Sequence, residues 1–164
     1  MVWFVKRGTV LLSRRCGSKE LARSLRRAGE FIGTEALVRA RYADSARTIE
    51  PAVLCGIAID DLDRWVGPVG TPARMMLEQT LLTSATELPR GAGADGSALQ
   101  RVARWVRDAA AAPRISRAVL ASLLGMTPET LSRALGRLAA SGAIAVTRRD
   151  VVICEAARLD QFAR

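Results

Sequence analysis

The chain has 164 residues, a formal net charge of +9 and no histidine. Its length allows one large domain or two small ones, and 49% apolar against 4% aromatic residues means that the cores are aliphatic. Without histidine, Ser-His-Asp and Cys-His catalysis, His-ligated haem and most zinc sites are excluded, so the chain does not read as an enzyme.

The charge favours an anionic partner. Residues 1–66 carry 12 basic and 8 acidic groups, residues 67–97 carry 2 and 3, and residues 98–164 carry 11 and 5. The C-terminal third is therefore the most basic for its size. Cys16, Cys55 and Cys154 are far apart with no C-x-x-C, which implies a reducing compartment and no disulfide framework. No stretch approaches the roughly 18 apolar residues of a membrane span, and the N-terminus has no signal-peptide layout. A cytoplasmic protein with no membrane partner is expected.

Residues 1–66 read as short strands separated by turns. Val2–Val5 is the first strand, Lys6-Arg7-Gly8 a turn, and Thr9–Ser13 the second strand. Cys16-Gly17-Ser18 is another turn, after which Glu20–Arg26 alternates weakly. Ala28–Gly33 is a turn with a short extended piece. Arg47–Ile59 is a last β-branched run, interrupted by Pro51. Asp60 and Asp61 then open a helix, where carboxylates suit the N-terminal dipole better than they suit catalysis. Gly67-Pro68-Val69-Gly70 breaks the chain. Thr71 and Pro72 supply an N-cap and first-turn proline for a helix over 73–86, with Leu77, Leu81, Ala85 and Leu88 near a 3.5-residue repeat. Residues 89–97 are a linker. Its Gly91–Gly96 run is a literal G-x-G-x-x-G, but it follows a helix instead of a strand and does not read as a nucleotide loop. Ala98–Ala110 is the next helix, with Leu99, Val102, Trp105 and Val106 on its buried side.

The stretch Ile115–Glu155 carries the strongest pattern. Val119, Leu120, Leu123 and Leu124 lie on a helix that stops at Gly125. Gly125-Met126-Thr127 is a turn of helix-turn-helix length. Thr127 caps the second helix, Pro128 takes its first position and Gly142 ends it. Leu131, Ala134, Leu135 and Leu138 share one stripe, and Glu129, Ser132, Arg133, Gly136 and Arg137 share the opposite one. Ala143–Val146, a tip Thr147-Arg148-Arg149-Asp150 and Val151–Ile153 form a basic wing. Residues 156–164 read as a tail.

LGMTPETLSRALGRLAASGAIAV, followed by the basic wing and VVICEAARL, resembles the DNA-binding end of the CRP/FNR superfamily of transcriptional regulators. The Glu129–Arg133 run is most similar to its fumarate-nitrate regulator branch. VWFVKRGTVLL, AGEFIG and the acidic helix start after Ile59 resemble the second half of that superfamily's effector β-roll. The resemblance implies an α+β chain: a partial cyclic-nucleotide-binding-like β-roll (1–70), a dimerisation helix and Gly-rich hinge (71–97), and a winged helix-turn-helix DNA-binding domain (98–164). Family members have further strands ahead of the equivalent of Val2, so the chain is expected to start in mid-domain, by truncation, a misassigned start or natural shortening. A half roll would expose strand edges and apolar area unless something covers them.

The same resemblance implies a homodimer on double-stranded DNA, paired along Leu77, Leu81 and Leu88, with RNA polymerase as a further partner. It implies an inverted repeat of a TTGAT-like half-site. Arg133 can donate twice to guanine O6 and N7, Glu129 can accept from cytosine N4, and Ser132 suits a thymine-side or phosphate contact. Arg117, Thr127, Arg137, Arg148 and Arg149 are assigned to phosphates. The family's cyclic-nucleotide pocket needs a Glu for the ribose and an Arg for the phosphate. Here those positions align with Thr34 and with Asp44 before Ser45, Glu35 being the neighbouring acid. An aspartate repels a phosphate, so this pocket is degenerate. Cys55 aligns with an iron–sulfur ligand of the fumarate-nitrate regulator. One thiolate cannot hold a cluster, so Cys55 reads as a buried structural thiol, and no cofactor is expected unless an N-terminal extension supplies a cysteine cluster. Two alternatives stay open: a nucleotide- or anion-sensing regulator of the same fold, and a winged-helix protein-interaction module that binds no DNA.

Overall fold

Short β-branched and aromatic runs at the start of the chain pair into two small antiparallel layers. In the first, β1 (Val2–Arg7) lies between β4 (Phe31–Ile32) and β6 (Val53–Ile57). Trp3 stands opposite Ile32 and Gly56, and Phe4 opposite Phe31 and Cys55. The Phe4 and Phe31 rings meet at 5.1 Å in a tilted pair, a favoured geometry for aromatic quadrupoles. The second layer has the order β3 (Lys19–Arg26), β2 (Val10–Cys16), β5 (Ser45–Thr48). Val5, Val10, Leu12 and Ile32 form the apolar cluster of these strands. Trp3, Phe31, Val53 and Leu54 remain exposed.

The computed structural model describes residues 1–37, 41–67, 70–86, 96–108, 115–147 and 150–164. The chain divides into two units, Met1–Glu20 with Ser24–Pro89, and Leu21–Arg23 with Arg90–Arg164. Leu88, Arg148, Arg149 and all of the Gly91–Gly96 run except Gly96 lie outside the described residues.

Two expectations for the strands change. The weakly alternating Glu20–Arg26 stretch is a full strand, β3. The Arg47–Ile59 run is two strands that belong to different layers, with Pro51 in the break between β5 and β6. Proline has no N–H for a ladder, so the chain switches sheets there instead of continuing one strand. The acidic start leads into α1 (Ile59–Val66), with Asp60 and Asp61 in its first turn. Helix α2 (Pro72–Thr86) begins at the expected proline, and the Met75 N–H donates to the Thr71 carbonyl at 2.9 Å. It packs against a 3-10 turn at Thr34–Leu37. Arg74 is buried and ion-paired with Glu78 at 2.6 Å, one helical turn away, while Met75 and Met76 point outward.

The second unit is helical, with a small wing. Helices α3 (Ala98–Asp108), α4 (Arg117–Leu123), α5 (Pro128–Ala140) and α6 (Ala156–Ala163) enclose one core. Val102, Ala103, Leu131, Leu138, Ala143 and Leu159 in it are essentially inaccessible to solvent. Val102 and Val106 are fully buried as expected, whereas Leu99 and Trp105 are only partly so. The wing pairs β7 (Ile144–Val146) with β8 (Val151–Ile153), antiparallel, Ala145 opposite Val152. The expected tail at 156–164 is instead α6. Glu155 precedes it without any side-chain cap, and the helix is held by Leu159 and Ala163 packed into the core beside α3.

Candidate nucleic-acid interface

Helix α5 carries the candidate site, and both its ends are fixed by local chemistry. At the N-terminus Thr127 is extended and its hydroxyl accepts the Thr130 N–H at 3.3 Å, while Pro128 occupies a position whose N–H would be unpaired. At the C-terminus the Ala143 N–H donates to the Leu138 carbonyl at 3.2 Å and the Gly142 N–H to the Ala139 carbonyl at 2.9 Å. Those two bonds make a Schellman motif, which requires the left-handed φ of +77° seen at Gly142. The turn before α5 closes in the same way. The Met126 N–H reaches the Ala121 carbonyl at 2.9 Å and the Gly125 N–H reaches the Ser122 carbonyl at 3.0 Å. Four residues, Leu124 to Thr127, therefore separate α4 from α5, one more than the sequence predicts, because Leu124 is the C-cap of α4 and not part of its last turn.

The helix has two faces. Leu131, Ala134, Leu135 and Leu138 are all buried in the core. Removing a leucine side chain from water stabilises the fold by roughly 1.5–3 kcal/mol, so this stripe dictates how α5 is rotated. Glu129, Ser132, Arg133, Gly136 and Arg137 are all exposed on the other side. Glu129 and Arg133 are one turn apart. The Glu129 carboxyl is held below its ordinary value, first by its own backbone N–H, then by the Thr127 hydroxyl, with Arg133 adding a smaller pull. An ionised acceptor and a bidentate donor thus sit side by side near the helix N-terminus.

The residues assigned to phosphates differ in their surroundings. Arg137 is exposed on the same face. Arg117 is exposed at the start of α4, and its guanidinium donates to the Thr147 carbonyl at 3.4 Å, tying the wing tip to α4. Thr147 and Asp150 close that tip: the Thr147 N–H donates to the Asp150 carbonyl at 2.8 Å and the Asp150 N–H to the Thr147 hydroxyl at 2.9 Å. Ser116, overlooked in the sequence, caps α4 by accepting the Val119 N–H at 3.3 Å. Its S-x-x-V spacing lacks the acid of a capping box, so the signal was weak. Arg158 on α6 was also overlooked, because the helix that carries it has no cap to announce it. Its guanidinium donates to the carbonyl of Ser141, the C-cap of α5, at 2.6 Å.

In the first unit, Thr34 and Glu35 begin the 3-10 turn, and Glu35 accepts the Ala43 N–H at 3.2 Å. Asp44 forms a salt bridge with Arg14 of β2 at 2.6 Å, with both side chains mostly covered. Ser45 begins β5 and is exposed. The structure therefore gathers Glu35, Asp44 and Ser45, and it engages the Asp44 charge from inside the sheet. Cys55 is half-buried on β6, Cys16 and Cys154 are exposed, and no metal-binding group of acids and thiols exists among the described residues. On α2, Leu77 and Leu81 are half-buried, and among the described side chains the outward apolar ones are Met75 and Met76. No described helix is long and apolar enough to cross a membrane.

Comparison with known proteins matches these features. Residues 100–162 fit the family described as Crp-like helix-turn-helix domain. The chain is 27% identical over 152 residues to the transcriptional regulatory protein btr of Bordetella pertussis, covering 82% of this chain but 61% of that protein. It thus spans about three fifths of the length of that curated relative. Among solved structures, a CRP/FNR-family transcriptional regulator from Thermus thermophilus is similar with a TM-score of 0.72 and 20% identity, over 99% of this chain and 87% of that one. FixK2 from Bradyrhizobium japonicum is similar with a TM-score of 0.71, again at 20% identity over 99% and 87% of the two chains. Residues 100–162 thus match a Crp-like helix-turn-helix domain, and the chain that carries them is similar in fold to transcriptional regulators of the CRP/FNR family.

Proposed function

We propose that the chain acts as a homodimer that binds double-stranded DNA sequence-specifically, placing α5 of each copy in successive major grooves about 34 Å apart. The observation that carries this reading is the exposed stripe Glu129, Ser132, Arg133 at the capped N-terminal end of α5. In that position Arg133 donates to guanine O6 and N7, Glu129 accepts from cytosine N4, and Ser132 meets a thymine or a phosphate. The half-site is of the TTGAT kind, in an inverted repeat. Arg137 and the basic wing tip, with Arg148 and Arg149, supply phosphate contacts that set affinity and not sequence. Contact with RNA polymerase belongs to the same reading.

The effector side is proposed to be silent toward cyclic AMP: the resemblance aligns Asp44 with the phosphate-anchoring position, where an aspartate offers no cation to a phosphate, and Asp44 is paired with Arg14. Cys55 alone is proposed to hold no cluster. The test is selection of binding sites from random duplexes with the wild type and with Arg133→Ala. The variant should lose roughly 1–3 kcal/mol on the selected site and relax its guanine preference. Unchanged base preference at every position in Arg133→Ala would refute base reading by α5. If the wild type selects no duplex and shows no salt-dependent binding, the protein-interaction reading replaces it.

A further inference from the structure

Most of what holds α5 comes from its own sequence: the Thr127 cap, the leucine stripe and the Schellman turn. The Arg158 contact comes from elsewhere in the chain. Arg158 is the third residue of α6, and its Nη1 lies 2.6 Å from the Ser141 carbonyl at the C-cap of α5. Its Nε is held at 2.9 Å by the Glu155 carboxylate, three residues earlier. The guanidinium also lies directly over Gly142: a Cβ built there would be 2.9 Å from Nη1. The carbonyl end of a helix is its negative pole, so a cation held there is favourable as well as hydrogen-bonded. The far side of α6 is fixed, since Leu159 is buried in the core. At the other end of α6, Gln100 and Arg104 of α3 donate to the Arg164 and Ala163 carbonyls, the latter at 3.1 Å. Helix α6 is thus a strut anchored on α3, and Arg158 is where it grips α5.

We infer that Arg158 is a positioning residue for base reading: it fixes the C-terminal end of α5, and so the tilt at which Glu129, Ser132 and Arg133 are presented. This rests on the base-reading function proposed above. An arginine that touches phosphate acts on every sequence alike and contributes to the salt slope. One that acts through α5 changes discrimination and leaves the salt slope alone.

The experiment uses the full chain, a duplex selected by the wild type and a scrambled duplex of equal length. Arg158→Ala should bind the selected duplex about five- to tenfold more weakly, the size of one helix-terminal charge contact. Its affinity for the scrambled duplex and its salt slope should be unchanged, which also shows that the domain remains folded. Amide exchange at Gly142 and Ala143 should accelerate. Arg158→Lys, which keeps a donor and a charge for the Ser141 carbonyl, should restore most of the discrimination. Equal weakening on both duplexes with a salt slope shallower by about one would make Arg158 a phosphate contact and overturn the inference. Unchanged discrimination in Arg158→Ala would overturn it as well. Arg133→Ala is the control that separates the two proposals: if it also leaves discrimination intact, base reading itself has failed.

Discussion

Two glycines six residues apart in the α5 region should respond to alanine with opposite signs. Gly136 sits inside the helix on its exposed face, and a Cβ there meets nothing within 4 Å. Glycine in a helix interior is about 1 kcal/mol less favourable than alanine, and nothing here offsets the gain. Gly136→Ala should therefore stabilise by about 1 kcal/mol, raising the melting temperature of a domain of this size by roughly 4–8 °C. Gly142 has a φ of +77°, and its added Cβ would lie 2.9 Å from the Arg158 guanidinium. The left-handed conformation costs an ordinary residue roughly 1–2 kcal/mol. The guanidinium is the end of a flexible side chain and would swing aside, losing a bond to the Ser141 carbonyl of about 1 kcal/mol. Gly142→Ala should therefore destabilise by roughly 2–3 kcal/mol, lowering the melting temperature by about 10–20 °C. Calorimetry of the full chain, following the transition of the C-terminal unit, measures both. Shifts of the same sign, or a neutral Gly142→Ala, would refute the Schellman geometry and the seat of Arg158 over it.

The outward position of Met76 and the half-buried position of Leu81 make a paired test of the proposed dimer. Met76→Glu should dissociate it in sedimentation without loss of fold, whereas Leu81→Glu should weaken both the dimer and the first unit; a dimer indifferent to both changes would place the seam elsewhere. Glu129 titrates below the 4.5 of an ordinary glutamate. With its folded value depressed, the stability and the acceptor function of its ionised form are lost only as pH falls through that lower value, so base preference should be flat between about pH 5 and 8. An NMR titration placing this carboxyl above 4.5 would contradict the bond from its own N–H. Calorimetry with cyclic AMP should show no specific binding, because Asp44 aligns with the position where the resemblance implies a phosphate-binding arginine; micromolar affinity would sink that reading.

Legibility in the sequence followed the range of the interactions. Helix α5 was readable because its cap, proline, apolar stripe and terminal glycine all act within a few residues of one another. Strand β3 was faint because its pattern is broken by Arg23 and Arg26, which are only partly covered. The division of Arg47–Ile59 between two layers depends on pairing with β2 and β1, which lie dozens of residues earlier. Helix α6 was missed for the same reason. Eight residues without a cap do not make a helix alone, and Leu159 and Ala163 become helical by packing into the core beside α3. In the site, the exposed stripe could be read from 3.6-residue periodicity. The engagement of Arg117 with the wing tip and of Arg158 with Ser141 could not, since both span gaps in sequence that only the fold closes.

Ala143 joins three elements through one peptide neighbourhood. Its N–H closes α5, and its carbonyl accepts both the Cys154 N–H at 3.0 Å and the Glu155 N–H at 3.2 Å, just before α6. No one of these elements can open without breaking bonds that the others need. The end of α5, the return strand of the wing and the start of α6 therefore form one cooperative unit, whose amides should exchange together with a shared opening free energy. A ligand that docks on the wing would therefore raise the protection of the α6 amides in step with that of the wing.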